Sequence, residues 1–313
     1  MSEHTLSPHA GASLKKWFGR LHKNRQLYVL ILPAIISVFI FHYIPIYGVQ
    51  VAFKDFRASM EIWGSPWVGL KHFGRFFEMP FFGMMIRNTL SISLYSLATF
   101  PCAVIVALLL NELRNERFKK VVQMVSYAPH FVSTVVVCSM VLIFFDKNRG
   151  LVNNVLALLG RERVSFIETP KYFSSLYVWS GVWSSVGWNT IIYLAALSSI
   201  SPEMIEAARI DGASQWKILW HINVPSILPT IVTLLILNTG SILSVGFEKI
   251  YLLQNPLNLD ASRVISTYVY EVGMGSGQFS YSTAIGLFNN VVNVVCIVLV
   301  NQISRAVTHI SMW

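Results

Sequence analysis

Residues 206–225 read EAARIDGASQWKILWHINVP, and the residue types gathered there suit docking better than bond-making. Glu206 can form a charge-assisted contact with a partner. Ala207 and Ala208 are small enough to let another backbone come close. Gly212, directly after Asp211, can supply the φ > 0 geometry that turns one short helix into the next. Pro225 suits the first turn of the helix that follows. The plainer alternative for Glu206 is a helix N-terminal charge.

Bond-making chemistry finds few candidates. The chain has no H-E-x-x-H pattern and no G-x-S-x-G elbow. No Gly-Lys dipeptide exists, so there is no P-loop, and any ATP with its magnesium would be bound by another subunit. Gly273, Gly275 and Gly277 are grouped in a connection rather than between a strand and a helix, which makes a flexible turn and not a phosphate cradle. Lone histidines such as His42 and His130 suit structural hydrogen bonds or a pore lining. Cys102, Cys138 and Cys296 are too far apart for a metal motif and read as small buried hydrophobes. No metal and no cofactor of the chain's own is expected.

A second set of residues could bind without reacting. Trp179 and Trp183 stand one helical turn apart, followed by Asn189 and Tyr193; Asn238 and Ser241 are spaced i, i+3, and Asn290 and Asn293 likewise. Sugar rings present apolar C–H faces for aromatic stacking and hydroxyls for amides, so these residues could line a saccharide path. Tryptophan as an interface anchor and asparagine as interhelical glue are the bland alternatives, the better ones for any single residue.

The elements that must position these residues are membrane spans. The chain of 313 residues is 54% hydrophobic and 12% charged, against about 25% charged in ordinary soluble domains. Six stretches lack Asp, Glu, Lys and Arg: 26–53, 88–111, 121–145, 172–202, 218–247 and 272–304. Each is long enough for one helix across a hydrocarbon core of about 30 Å. Spans are expected near 27–47, 88–110, 123–145, 172–197, 225–247 and 283–303, with a loop at 198–224. Residues 1–26 would form a cytoplasmic arm whose Leu14, Trp17, Phe18 and Leu21 mark an interfacial amphipathic helix. Residues 304–313 would be a short cytoplasmic tail, and no cleavable signal is expected.

The net charge of +9 fits attraction to a membrane surface, and no basic soluble domain suggests nucleic acid. With the N-terminus inside, cytoplasmic and external segments carry equal numbers of Lys and Arg. The shorter, early cytoplasmic segments concentrate theirs at Lys15, Lys16, Arg20, Lys23, Arg25, Arg114, Arg117, Lys119 and Lys120. Both termini are therefore expected in the cytoplasm. The absence of carboxylates from all six stretches argues against ion coupling.

Residues 206–225 resemble the E-A-A-x3-G-x9-I-x-L-P loop of the integral-membrane subunits of binding-protein-dependent ABC importers, with Val224 in place of Leu. YAPHFVSTVVV at 127–137, GWNTIIYLAALSSISPEMIEAARIDGA at 187–213 and YSTAIGLFNNVVN at 281–293 are similar to the polysaccharide branch of the maltose-type permeases. The resemblance implies an all-α, six-span type I importer fold in a bacterial cytoplasmic membrane. It implies a transport subunit and not an enzyme, with a second permease subunit, two ATPase subunits and an extracellular solute-binding protein as partners. ATP and Mg would sit in the ATPase. Glu206, Ala207, Ala208, Asp211, Gly212 and Pro225 would then form the ATPase-coupling segment. A stand-alone secondary sugar carrier or channel is the alternative, and a membrane-embedded enzyme of glycan synthesis a more distant one.

Overall fold

The computed structural model describes residues 25–308 and residue 311, so the amphipathic stretch at 14–21 lies outside the described residues. All regular elements among the described residues are helical, apart from two isolated bridges, Lys54–Trp67 and Arg57–Glu61. Four helices are long and apolar enough to cross a membrane, and six when two sharply bent pairs each count as one span. The chain divides into two compact units, one up to Val68 and one from Gly69.

The first unit holds an almost continuous helical path, Arg25–Phe53, whose apolar side chains from Leu27 to Tyr47 are exposed on every side, while Val51 and Ala52 at its end are buried. A helix apolar all round needs an apolar solvent, and its length suits a bilayer. After it the chain folds back on itself: Val68 N–H donates to the Phe53 carbonyl at 2.8 Å, and Lys54 Nζ donates to the Ile62 carbonyl at 2.7 Å beneath the Trp67 ring.

The second unit is organised around the helix Pro170–Ser198. At about 1.5 Å per residue it is long enough to cross a bilayer with room to spare. It packs on the helices Pro101–Asn111, Glu116–Tyr127 and Val224–Thr239. Apolar lipid gives no driving force for this, so close packing must supply it. Gly187 permits it: a Cβ at that position would run into the backbone and side chain of Ser126. Two buried clusters lie at opposite ends of the central helix. One gathers Ala107, Leu108, Leu197, Ile200 and Ile227; the other gathers Ile92, Cys138, Phe173, Ile250 and Val264.

Polar ties mark the same two ends. Asn223 Nδ2 donates to Glu112 Oε1 at 3.3 Å near the C-terminus of the central helix. Near its N-terminus, the side-chain amides of Asn255 and Asn258 donate to the Ile167 carbonyl at 3.2 and 3.0 Å. The connections at 112–116 and 199–223 thus share one side, opposite those at 145–169 and 254–263.

Three expectations about helices need correction. Residues 123–145 are not one helix: Glu116–Tyr127 and Thr134–Phe144 meet at 98°. Pro129 cannot donate within a helix, and Ser133, extended at φ −62° and ψ 150°, caps the new start by accepting from Val136 N–H. The helix expected to reach 247 ends at Thr239. There Asn238 Nδ2 donates to the Leu234 carbonyl and Thr239 Oγ1 to the Leu235 carbonyl, competing with the backbone ladder. Pro225 does not open its span, because the helical path runs unbroken from Gln215 to Thr239.

A π turn, Leu219–Asn223, carries that path up to Val224-Pro225, and a similar one, Phe39–Tyr43, precedes Ile44-Pro45. Proline has no N–H for the carbonyl four residues back, and its ring crowds that carbonyl. One widened turn relieves the clash while the preceding residue bonds five residues back, Val224 N–H to the Leu219 carbonyl.

Candidate functional site

At the C-terminal end of the central helix the chain turns through 72° into the short helix Pro202–Ile210. Pro202 starts it at the position where its missing N–H costs nothing. Its end is a Schellman closure: Ala213 N–H donates to the Ala208 carbonyl at 2.9 Å and Gly212 N–H to the Arg209 carbonyl at 3.0 Å. Gly212 takes φ +75°, with open space where a Cβ would sit. Ser214 caps the next turn through Lys217 N–H.

This elbow presents Glu206, Ala207 and Asp211 to the surface, with Ala208 half-buried. Two large apolar side chains flank them, Met204 at 44% exposure and Ile210 at 87%. Such exposure on an ordered helix marks a contact surface. Ile205 points the other way and packs against the cluster holding Leu197, Ile200 and Tyr193. Leu219, Ile222 and Val224 reach the same cluster from beyond the elbow. Pro225 is exposed within the helix that follows.

Above that cluster lies a cavity of about 650 Å³, a common size for a ligand site. Tyr193 and Ala103 belong to both cluster and cavity lining, so the cluster that backs the elbow continues to the cavity wall. Asn189, Asn238 and Ser241 also line the cavity. His130 does too, stacked on Trp188 with ring centroids 4.5 Å apart.

The structure separates the other candidate path residues from this group. Trp179 and Trp183 line a second, mostly apolar recess of about 510 Å³ with Met140 and Phe144. Trp179 Nε1 donates to Tyr95 Oη at 2.9 Å. Asn189 lies six positions after Trp183, which carries the helix round to another face. Asn290 is exposed and lines neither space. Asn293 is buried as a tie: its Oδ1 accepts from Leu243 N–H at 3.0 Å and its Nδ2 donates to Ser244 Oγ at 2.8 Å.

Sequence inspection missed Lys249. It follows an uncharged stretch and reads as part of an external loop, yet the helix Phe247–Leu253 carries it back to the cavity wall. Its Nζ donates to the Tyr177 carbonyl at 2.6 Å and lies 4.7 Å from the Tyr177 ring centroid. Burial pulls its ammonium down to about 8. The available signal was the pair Glu248-Lys249, which interrupts apolar sequence without a Gly/Pro turn cluster after it.

Residues 99–309 match the family described as binding-protein-dependent transport system inner membrane component. Two proteins of Bacillus subtilis (strain 168) are each 41% identical to this chain. The polygalacturonan/rhamnogalacturonan transport system permease protein YteP aligns over 93% of this chain and 91% of its own length. Protein LplB aligns over 92% of this chain and 91% of its own length. A crystal structure of a bacterial ABC transporter involved in the import of the acidic polysaccharide alginate contains a chain with a TM-score of 0.86 and 39% identity. That match covers 94% of this chain and 99% of the other. The helical spans accord with these matches, and the chain belongs to the family of inner membrane components of binding-protein-dependent transport systems.

Proposed function

We propose that this chain is a permease subunit of an ATP-driven importer of oligo- or polysaccharide, moved by a separate ATPase through the elbow at 202–212. One observation carries the coupling role. The exposed face of Pro202–Ile210 is backed by Ile205 on the cluster that includes cavity-lining Tyr193, so a push on the elbow is a push on the cavity wall. Glu206 supplies a charge-assisted contact, and Ala207 with Ala208 the close approach. Asp211 and Gly212 set where the helix stops, and Pro225 lies within the helical path Gln215–Thr239 that follows, just after its π turn. The saccharide assignment draws on the relatives' cargo and on the amide and hydroxyl lining of the cavity, where Asn189, Asn238 and Ser241 serve as substrate contacts. Trp179 and Trp183, on the apolar recess, fit contact with lipid or with the second permease subunit.

The full transporter would join this chain to a second permease subunit, two ATPase subunits that bind ATP and Mg, and an extracellular solute-binding protein. Both termini and the elbow would then lie in the cytoplasm of a bacterial cell. Closure of the ATPases would press on the elbow helix and rock the spans, opening the cavity to the loaded binding protein.

Reconstitution tests this. The purified complex in proteoliposomes, with its binding protein outside, should take up a galacturonan or alginate oligosaccharide only when ATP is supplied on the elbow side. Uptake by this chain alone without ATP would favour the stand-alone carrier. An engineered cysteine at Ser59, which is exposed in the connection after the first span, should react with an impermeant thiol reagent in intact cells while one at Ala207 stays protected; the reverse pattern would invert the orientation.

A further inference from the structure

We propose that Lys249 is the cavity's carboxylate contact, making the path selective for saccharides that carry uronic acid groups; this rests on the saccharide assignment above. Among the described residues lining the cavity, Lys249 is the one Asp, Glu, Lys or Arg. Tyr177 and Gly181 lie beside its Nζ, and the rest of the lining offers hydroxyls, amides, His130 and apolar side chains. A neutral sugar is recognised by hydroxyls and amides, so a cation in that lining adds little for it. A carboxylate, in contrast, gains a charge-assisted hydrogen bond in a partly dry site.

The ammonium is unsatisfied in charge. No carboxylate among the described residues pairs with it within 4 Å, in contrast to Arg57 with Asp55 and Lys119 with Glu116. Holding a half-buried cation without a counter-ion costs free energy, and that cost is recovered when an anion arrives. Among the described residues, Nζ uses one of its three donors, on the Tyr177 carbonyl, and lies against the Tyr177 ring.

The seat is built to hold the charge in place. Gly246 N–H donates to Tyr177 Oη at 3.2 Å, fixing the start of the Phe247–Leu253 helix against the central helix. Gly181 leaves the space Nζ occupies, since a Cβ there would come within 3.0 Å of it. Ile250 and Leu253 are buried in the cluster with Phe173, which anchors the other side of the same short helix. A lysine kept only as a clamp would need no open side, whereas this one borders the cavity.

The test compares trigalacturonate with its carboxyl-reduced trisaccharide in proteoliposomes holding the complete transporter. The binding protein is saturated with each probe in turn. Rates of Lys249 variants are divided by the unsubstituted rate for the same probe, so that preferences of the binding protein cancel. Lys249→Gln should cut uptake of the charged probe about tenfold and leave the neutral probe within about twofold. Lys249→Arg should retain the charged probe to within about threefold, because it keeps the charge. Tyr177→Phe, which loosens the seat without touching the charge, should slow both probes alike. It also supplies the comparison if the glutamine variant assembles poorly, with Lys249→Met then tested against it. Equal slowing of both probes by Lys249→Gln would make Lys249 a structural clamp and overturn the inference while leaving saccharide import intact. Uptake of neither probe by the unsubstituted complex would overturn the saccharide assignment, and the inference with it.

Discussion

The elbow at 202–224 and the cavity behind it are built on opposite principles. Every determinant of the elbow is local: Pro202 starts the helix, Gly212 stops it, Ser214 caps the next turn, and the closing hydrogen bonds span five residues at most. The cavity is assembled from chain segments up to about 150 positions apart, from Ser93 to Lys249, and no single segment contains its chemistry. A local device can be changed without disturbing the rest, whereas an assembled one fails as a unit. That contrast suits a coupling piece that must move as a rigid lever and a cavity whose walls must shift together.

The largest effect should follow from disturbing the assembled region. Gly187→Val places a branched side chain against the Ser126 backbone, which cannot step aside as a flexible side chain can. Detergent extraction and size-exclusion chromatography should show loss of the folded complex. A well-folded Gly187→Val complex would mean that the central helix tolerates looser packing than the contrast requires.

Next comes the elbow's own hinge. Gly212→Val strains a backbone held at φ +75°, by roughly 1–3 kcal/mol. Since a Cβ meets nothing there, the strain is conformational alone, and Gly212→Asn should restore most of the function because Asn tolerates that region. The valine variant should insert normally yet lose sugar-stimulated ATP hydrolysis. Equal loss with Val and Asn would point to a role other than backbone geometry.

Smaller in its effect on transport, because the elbow keeps its shape, Glu206→Ala should weaken ATPase attachment by roughly 1.5–3 kcal/mol where the contact is desolvated. The complex should then shed ATPase at a lower salt concentration, or on less dilution, than the unsubstituted complex. Retention identical to the unsubstituted complex would reduce Glu206 to a surface charge.

The smallest effect separates the two recesses. Trp183→Ala should leave uptake within about twofold, because its side chain borders the apolar recess, while Asn238→Ala at the cavity should lower uptake severalfold. A strong transport defect from Trp183→Ala with normal assembly would move the substrate path into that recess.

What could be read from the chain alone follows the same division. The elbow was legible because Glu206-Ala207-Ala208 and Gly212 have a fixed spacing and each residue type has a local conformational meaning. The spans were legible because charge is absent from long stretches. Helix ends were harder. Residues 123–145 are uncharged throughout, yet Pro129 and the Ser133 cap break them, and hydropathy is blind to a bend. Asn293 and Asn189 share a residue type, but one ties a turn at 243–244 and the other faces the cavity. Spacing along one helix cannot separate them, since the neighbour each meets comes from elsewhere in the chain. Lys249 was hidden for the same reason.

The coupling role of the elbow can be tested most directly by cross-linking in the assembled transporter. Ala207→Cys, in an otherwise complete complex with Cys102, Cys138 and Cys296 replaced by serine, is labelled with a short reducible thiol-reactive photo-cross-linker, and both the covalent product and transport are followed. The expected result is a product joining this chain to an ATPase subunit, formed in step with loss of sugar-stimulated ATP hydrolysis. Cleaving a reducible form of the linker should restore it. An ATPase that stays bound and active, transports at the unsubstituted rate and never cross-links to position 207 would contradict the assignment of this elbow as the coupling element.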